Sequence, residues 1–187
     1  MWNDFMIRVF YYITLSCLLF GCAAPPQSVP LPKGDRDQVV AFVFTSVDCP
    51  IANAMAPQLR RTITEAESLG VKTYLVYPRV DITEEAMATH ARAYGLEAEA
   101  IADPNKVLVT ELGATVTPEG VVIKYAADGD YEICYRGRLN DLYPSIGNRR
   151  DQASCHEFRD AILASRSGQP IATPFPPAIG CMIERVP

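Results

Sequence analysis

The sequence predicts an α/β fold: a central mixed sheet with helices on both faces, ending in an antiparallel hairpin and a helix. Two observations support this. Short apolar runs rich in β-branched and aromatic residues alternate with amphipathic helical patterns, which is the order of parallel strand–helix units. Later, two such runs flank the turn 126–130 (Ala-Ala-Asp-Gly-Asp) with no helix between them, which indicates an antiparallel pair.

The first strand and helix are the clearest elements. Val39–Phe44 is a continuous apolar run, typical of a strand covered on both faces. After Cys49, apolar residues recur every three or four positions until Gly70, which predicts an amphipathic helix that contains Pro57. Those apolar positions are Met55, Leu59, Ile63, Ala66 and Leu69. Val71–Tyr77 then predicts a second strand beside the first.

Two further helices and a short strand complete the parallel part. Asp81 and Glu84 have capping-box spacing, so a helix is expected from there to Gly95. A short strand follows at Ala100–Ala102 and a helix at Asn105–Leu112.

The hairpin strands are Val121–Tyr125 and Tyr131–Arg136, and the last helix is predicted over Asp151–Ser165. Cys155 lies three residues before Phe158, so this helix should turn Cys155 inward.

The N-terminal segment predicts export. An apolar stretch of about a dozen residues follows Arg8, the length of a signal-peptide core and too short for a stable membrane anchor. The run Leu19-Phe-Gly-Cys22 resembles the lipobox of bacterial lipoproteins, in which the cysteine carries lipid. That resemblance implies a protein of the bacterial cell envelope, anchored to the membrane at Cys22. Cleavage of an ordinary signal peptide near Ala23 or Ala24 is the alternative.

The chain therefore divides into four parts: a signal peptide (1–21), a proline-rich tether (22–37), one α/β domain (38–168) and an extended tail that carries a cysteine (169–187).

Composition excludes several functions. The net charge is −5 and no basic stripe is present, so a nucleic-acid partner is not expected. The four cysteines of the domain and tail allow three disulfide pairings in an oxidising compartment. These cysteines are Cys49, Cys134, Cys155 and Cys181. They form no C-x-x-C motif and no zinc-spaced Cys/His cluster, so we expect neither a metal site nor a cofactor.

Cys49 is the candidate nucleophile, because it lies where the first strand meets its helix. The helix N-terminus favours an anion and so lowers a thiol pKa, and the thiolate is the reactive form. Asp48 beside it would raise that pKa, and Pro50 begins the helix. A small buried hydrophobe is the alternative interpretation of Cys49.

This order of elements resembles the thioredoxin fold, in which a cysteine occupies the first strand-to-helix junction. Pro57, eight residues after Cys49, matches the proline inside the thioredoxin active-site helix. The run 115–118 (Thr-Val-Thr-Pro) resembles the loop that carries a cis-proline opposite the nucleophile. The resemblance implies that Pro118 is cis and that the Thr117 backbone aligns a substrate chain.

More narrowly, the run 45–53 around Cys49 resembles the redoxin domains of bacterial envelope proteins, relatives of alkyl hydroperoxide reductases. Ser46 fits the peroxidase signature, but Phe42 stands where peroxiredoxins have proline. Ala52 replaces the second cysteine of thioredoxins, and Asn53 replaces that of copper-delivery relatives.

Cys181 is the candidate resolving cysteine. The run 178–182 resembles a cysteine-bearing tail found in the same redoxin proteins. The proline-rich segment before it should run extended, and it is long enough to reach the Cys49 end of the sheet, where Gly180 would permit close approach. A permanent Cys49–Cys181 staple and a free Cys181 thiol are the alternatives. A Cys134–Cys155 disulfide also remains open.

Two histidines and two arginines could also take part in chemistry. His90 and His156 are expected on the solvated surface, and Arg136 or Arg138 could bring a guanidinium near Cys49.

The sequence as a whole predicts an exported thiol-disulfide oxidoreductase with a protein disulfide or a peroxide as substrate and a thiol electron donor upstream. The alternatives are a thiol peroxidase and a non-catalytic scaffold lipoprotein.

Overall fold

A computed structural model describes residues 30–184 of this chain. The predicted signal peptide, Cys22 and most of the predicted tether lie outside the described residues, as do the last three residues of the tail. Among the described residues, no helix has both the length and the apolar character needed to cross a bilayer.

The described residues form seven strands and four helices. Nine of these elements follow the order that the sequence predicts, and two short strands, at 116–117 and 181–182, were not predicted. The strands are β1 (Val39–Phe44), β2 (Lys72–Tyr77), β3 (Glu99–Ala102), β4 (Val116–Thr117), β5 (Glu119–Tyr125), β6 (Tyr131–Gly137) and β7 (Cys181–Met182). The helices are α1 (Pro50–Ser68), α2 (Glu84–Tyr94), α3 (Val107–Leu112) and α4 (Glu157–Ser167).

Five strands build the central sheet in the order β3-β2-β1-β5-β6, with β1 in the middle. β1 runs parallel to β2, and β2 runs parallel to β3. β5 is antiparallel to both β1 and β6, so the sheet is mixed and closes in a hairpin. This arrangement confirms the predicted thioredoxin-like fold. The parallel strands end together at one edge of the sheet, where the β1–α1 connection carries Cys49.

Both faces of β1 are buried, because successive side chains of a strand point to opposite faces. One set packs in the core cluster that includes residues of α1, α2 and α4, namely Val39, Ala41 and Val43. The other set packs in the cluster that includes residues of α3, namely Val40, Phe42 and Phe44. Leu31 and Ile183, from the two ends of the described chain, contact this second cluster. The tail is thus tied to the core beyond Cys181.

The N-cap of α2 differs from the prediction. Thr83, not Asp81, caps the helix, and its side-chain oxygen accepts the N–H of Ala86 at 3.1 Å. Asp81 instead forms an ion pair with Arg79. Gly95 ends the helix in the left-handed conformation, as a helix C-terminus favours.

Helix α4 begins later in the chain than predicted, and the prediction that Cys155 faces inward is wrong. The helix begins at Glu157, and Cys155 lies exposed in the preceding loop. The Asp141 carboxylate causes this difference, because it accepts the N–H of Ser154 at 2.6 Å and that of Cys155 at 2.9 Å. These N–H groups are held in a loop by a side chain more than ten positions away, which no local pattern reveals. Phe158 is buried, as predicted.

A register shift in β6 changes where Cys134 lies. Val122 pairs with Tyr135, and the next β5 residue, Ile123, pairs with Ile133, so Cys134 is the extra residue of a β-bulge. Tyr135 therefore joins the α1 side of the core and Ile133 the opposite side. The Cys134 thiol is free and half-buried, and Cys155 is free as well, so no disulfide links them in this structure.

We expect Asp141→Ala to destabilise the fold by about 2 kcal/mol at neutral pH. Burial raises the pKa of Asp141, but hydrogen bonds from Ser154 and Cys155 and the charge of Arg150 outweigh it and lower the pKa to about 2. The contribution of Asp141 is thus present above its unfolded pKa and is lost as the pH falls from about 4 toward about 2. Urea unfolding across this range measures it. Asp151→Ala, at an exposed position of the same loop, is the control, and equal losses in both variants would contradict the assignment.

Candidate redox site

Cys49 is the N-cap residue of α1, so the predicted placement of this thiol at a helix N-terminus is confirmed. Its sulfur accepts the backbone N–H of Ala52 at 3.5 Å, and its carbonyl accepts the N–H of Asn53 at 3.0 Å. Pro50 occupies the first helical turn, where its missing N–H costs nothing. The helix continues through Pro57. The Cys49 side chain is buried, with 2% of its surface exposed.

Cys181 lies directly against Cys49. The two Sγ atoms are 2.8 Å apart, and the Cys181 thiol donates toward the Cys49 sulfur. Both thiols are free in this structure. Because a disulfide bond measures about 2.05 Å, a closing motion of less than about 1 Å would bring the two sulfurs to bonding distance. The structure thus brings together the two cysteines that the sequence selected.

The tail reaches Cys49 by pairing with β4. β7 runs antiparallel to it, with Cys181 opposite Thr117 and Met182 opposite Val116. The N–H of Ile183 donates to the carbonyl of Thr115 at 3.0 Å, which extends the pairing by one residue. The tail thus pairs with the Thr117 backbone, where a substrate chain was expected to pair.

Gly180 permits the approach, since a Cβ at this position would overlap the carbonyl of Thr117.

The Thr117–Pro118 peptide bond is cis, as predicted. The carbonyl oxygen of Thr117 accepts the Cys49 thiol at 3.0 Å. The side-chain hydroxyl of Thr117 donates to the carbonyl of Cys181 at 3.5 Å. Thr117 therefore contacts both cysteines and fixes their relative position.

The surroundings give the two thiols different pKa values. Burial raises the pKa of Cys49, but hydrogen bonds from Cys181 and from the Ala52 N–H outweigh it, so this pKa lies below its ordinary value. Burial and the neighbouring Cys49 sulfur raise the pKa of Cys181 to about 11. Cys49 is therefore the sulfur of the pair that more readily becomes a thiolate, which is the form that attacks.

Asp48 lies exposed at the surface and forms an ion pair with Arg79. The cation offsets the effect that this carboxylate was expected to have on Cys49. Arg136 and Arg138 do not supply a guanidinium to the site. Arg138 pairs with Glu157, and the guanidinium of Arg136 lies over the ring of Phe175, 5.8 Å from its centre.

Sequence reasoning missed Arg79. A signal was present, because Arg79 follows β2 just as Cys49 follows β1, and parallel strands end at the same edge of a sheet.

His90 was expected on the surface, and this expectation is wrong, since 7% of its surface is exposed. Its Nδ1 lies 2.8 Å from the hydroxyl of Tyr77, and its Nε2 lies 2.9 Å from Oδ1 of Asn53. The amide nitrogen of Asn53 donates to the carbonyl of Val47 at 3.1 Å. This chain of hydrogen bonds supports the loop that ends in Cys49. Burial lowers the pKa of His90, which favours its neutral form.

His156 is half-buried and contacts Gln58. Both line a groove of about 520 Å³ between α1 and the loop before α4, a groove that neither Cys49 nor Cys181 lines.

A cleft of about 400 Å³ lies beside the cysteine pair. Its lining residues are Ser46, Pro78, Arg79, Val80, Asp81, Lys106, Thr117, Cys181, Met182, Ile183 and Glu184. The predicted site residue Ser46 is half-buried in its wall. Among residues 30–184, no three His, Cys, Asp or Glu side chains are grouped to hold a metal ion.

No protein-family profile matches this chain, and no curated protein does. Solved structures resemble it. A hypothetical protein of Sinorhizobium meliloti has a TM-score of 0.67 and 19% identity, over 86% of this chain and 98% of that one. An uncharacterized protein of Geobacillus kaustophilus has a TM-score of 0.66 and 19% identity, over 88% and 95%. A secreted disulfide oxidoreductase of Mycobacterium tuberculosis has a TM-score of 0.44 and 16% identity, over 71% and 83%.

At these identities the likeness concerns the fold alone.

We expect Gly180→Ala to hinder pairing of the two cysteines. The added Cβ overlaps Thr117 and must push β7 away at a cost of about 1–3 kcal/mol. The equilibrium fraction of linked protein should then fall about fivefold or more in a weakly oxidising buffer. Alkylation of free thiols followed by mass spectrometry measures that fraction. Ala172→Ser, which adds one atom at an exposed position of the same tail, is the control, and equal linkage in both variants would refute the prediction.

Proposed function

We propose that this protein is a thiol-disulfide oxidoreductase whose Cys49 and Cys181 cycle between two thiols and one disulfide. The observation that carries the proposal is the contact of 2.8 Å between the two sulfurs at the N-terminus of α1. The lowered pKa of Cys49 and the raised pKa of Cys181 give the two sulfurs different roles. Cys49 is the nucleophile and Cys181 resolves the intermediate.

The reaction has two exchange steps on the way to the oxidised protein. The Cys49 thiolate attacks one sulfur of a substrate disulfide, forms a mixed disulfide and releases the other sulfur as a thiolate, which takes up a proton. Cys181 then loses its proton and attacks the Cys49 sulfur, which forms the Cys49–Cys181 disulfide and releases the second substrate thiol. The substrate is reduced by two electrons, and an upstream thiol donor returns them to the protein.

Thr117 and cis-Pro118 shape this reaction. A polypeptide substrate would pair with the Thr117 backbone in place of β7, so the tail has to leave for such a substrate to bind. The Thr117 carbonyl accepts the Cys49 thiol in the resting protein and orients its sulfur toward Cys181. Ser46, Asp48 and Pro50 shape the surroundings of the sulfur.

A redox titration tests the proposal. The protein is equilibrated in a series of glutathione buffers, alkylated, and analysed by mass spectrometry. We expect Cys49 and Cys181 to interconvert at a potential above about −300 mV, which separates working disulfides from structural ones. A bond that persists below that value makes the pair a permanent staple and the protein a non-catalytic scaffold. Cys49→Ser should abolish reduction of a disulfide substrate, whereas Cys134→Ser should leave it unchanged.

Peroxide reduction is tested with the same proteins. In that reaction Cys49 would become a sulfenic acid, and Cys181 would condense with it and release water. Consumption of hydrogen peroxide by the wild-type protein, lost in Cys49→Ser, would assign this activity in place of disulfide exchange.

We further propose that the protein is exported and lipid-anchored at Cys22 on the bacterial cell envelope. The support is the lipobox-like run that ends at Cys22. We expect the mature protein to begin at a lipidated Cys22 and to sediment with membranes, and Cys22→Ala to release it into the soluble fraction. Mass spectrometry of the N-terminus checks this. A mature N-terminus at Ala23 without lipid would contradict it.

A further inference from the structure

The two cysteine residues differ sharply in their exposure to solvent. Cys49 is 2% exposed, whereas Cys181 is an exposed residue. Cys181 lines the cleft of about 400 Å³ beside the pair, and Cys49 is not among its lining residues. Thr117 and β7 lie against the buried sulfur. A molecule in this cleft therefore meets the sulfur of Cys181 first.

This difference should persist in the oxidised protein. The sulfurs are already 2.8 Å apart, and bond formation shortens that distance by less than about 1 Å. β7 can stay paired with β4 during such a motion, because the backbones of Thr117 and Cys181 are already register partners. The disulfide thus joins a buried residue, Cys49, to a residue that lines the cleft, Cys181.

We infer that the thiol which reduces the Cys49–Cys181 disulfide attacks the sulfur of Cys181, and that it is a small thiol bearing a carboxylate. This inference rests on the proposed function, because it requires the disulfide to form. The donor thiolate bonds to Cys181, the Cys49–Cys181 bond breaks, and Cys49 leaves as a thiolate. A second donor thiolate attacks the donor sulfur of the mixed disulfide, releases the thiolate of Cys181 and leaves as the donor disulfide. The protein gains two electrons, and two donor thiols are oxidised.

The chemistry of the leaving group supports attack at Cys181. Thiol–disulfide exchange is faster when the sulfur that leaves has the lower thiol pKa. Attack at Cys181 expels Cys49, whose thiolate lies at the N-terminus of α1 and accepts the Ala52 N–H. Attack at Cys49 would instead expel Cys181, whose pKa is raised to about 11. Both the exposure of the two residues and the chemistry of the leaving group therefore favour attack at Cys181.

Lys106 gives the cleft a preference for an anionic donor. It is 5% exposed, and its ammonium donates to the carbonyl of Pro104 at 3.3 Å. Among residues 30–184, no carboxylate forms an ion pair with it, and an ammonium has three N–H donors. A buried cation without an anionic partner is unfavourable, so a ligand carboxylate beside it would be stabilised.

Neither of the two carboxylates that line the same cleft forms an ion pair with Lys106. Asp81 is paired with Arg79, and Glu184 is exposed. Lys106 also lines a second cavity, which shares Met182, Ile183 and Glu184 with this cleft, so its preference for an anion has to be tested by substitution.

The first test locates the mixed disulfide. A Cys134→Ser/Cys155→Ser protein is oxidised, shown to contain the Cys49–Cys181 bond, and mixed with substoichiometric glutathione. Excess N-ethylmaleimide then traps the released thiol, and trypsin separates the Cys49 peptide (37–60) from the Cys181 peptide (167–185). We expect glutathione on the Cys181 peptide and N-ethylmaleimide on the Cys49 peptide. Glutathione on the Cys49 peptide, on both peptides equally, or on neither overturns the inference.

The state of the oxidised protein before glutathione is added distinguishes a failure of this inference from a failure of the proposed function. If oxidation yields no Cys49–Cys181 bond, the proposed function fails before glutathione is added. If the bond forms but cannot be reduced in the redox titration, the pair is a staple. Only a reducible bond with glutathione on the wrong sulfur contradicts the assignment of Cys181.

The second test concerns the carboxylate. Reduction rates of the oxidised protein are measured with glutathione and with uncharged 2-mercaptoethanol. Lys106→Met should lower the rate with glutathione about tenfold and leave the rate with 2-mercaptoethanol unchanged, and Lys106→Arg should restore most of the loss. Lys124→Met, at the opposite end of the sheet, is the control. Equal effects on both thiols, or none, overturn the carboxylate preference.

Discussion

The antiparallel pairing of β7 with β4 is the interaction on which the rest of the site depends. It places Cys181 opposite Thr117, and Thr117 in turn contacts the sulfur of Cys49. Ile183, two residues further on, is buried in the core cluster that includes α3. The hydrophobic core therefore holds the tail in place, and a segment without a helix of its own acquires a fixed position.

This pairing has two consequences for reactivity. It covers Cys49, and this burial by itself would raise the thiol pKa. It also supplies the hydrogen bond from Cys181, which together with the Ala52 N–H of α1 outweighs the burial and lowers that pKa. It also occupies the backbone edge beside cis-Pro118, so a substrate chain competes with the protein's own tail. The same short strand thus completes the cysteine pair and restricts what can reach Cys49.

Two errors of the sequence analysis share one physical cause, which is contact between residues distant in sequence. Asp141 draws Ser154 and Cys155 into a loop and so delays the start of α4. His90 lies on an amphipathic helix, but Asn53 and Tyr77 on two other elements bury it and satisfy both ring nitrogens. In each case the local pattern predicts one position for the residue, and contact with a polar partner distant in sequence gives it another.

The sequence by itself determined the order of the helices and of the five strands of the central sheet, and the thiol at the N-terminus of α1, because each depends on local periodicity or on capping. The cis bond before Pro118 was implied only by the resemblance to the thioredoxin fold. The sequence also nominated Cys181, since a proline-rich tail stays extended and can reach far. Only the tertiary structure decided that Cys49 is buried while Cys181 is exposed, and that Arg79 rather than Arg136 lies beside the site. Burial and ion pairing depend on which surfaces meet when the sheet, the helices and the tail pack together, and no single segment carries that information.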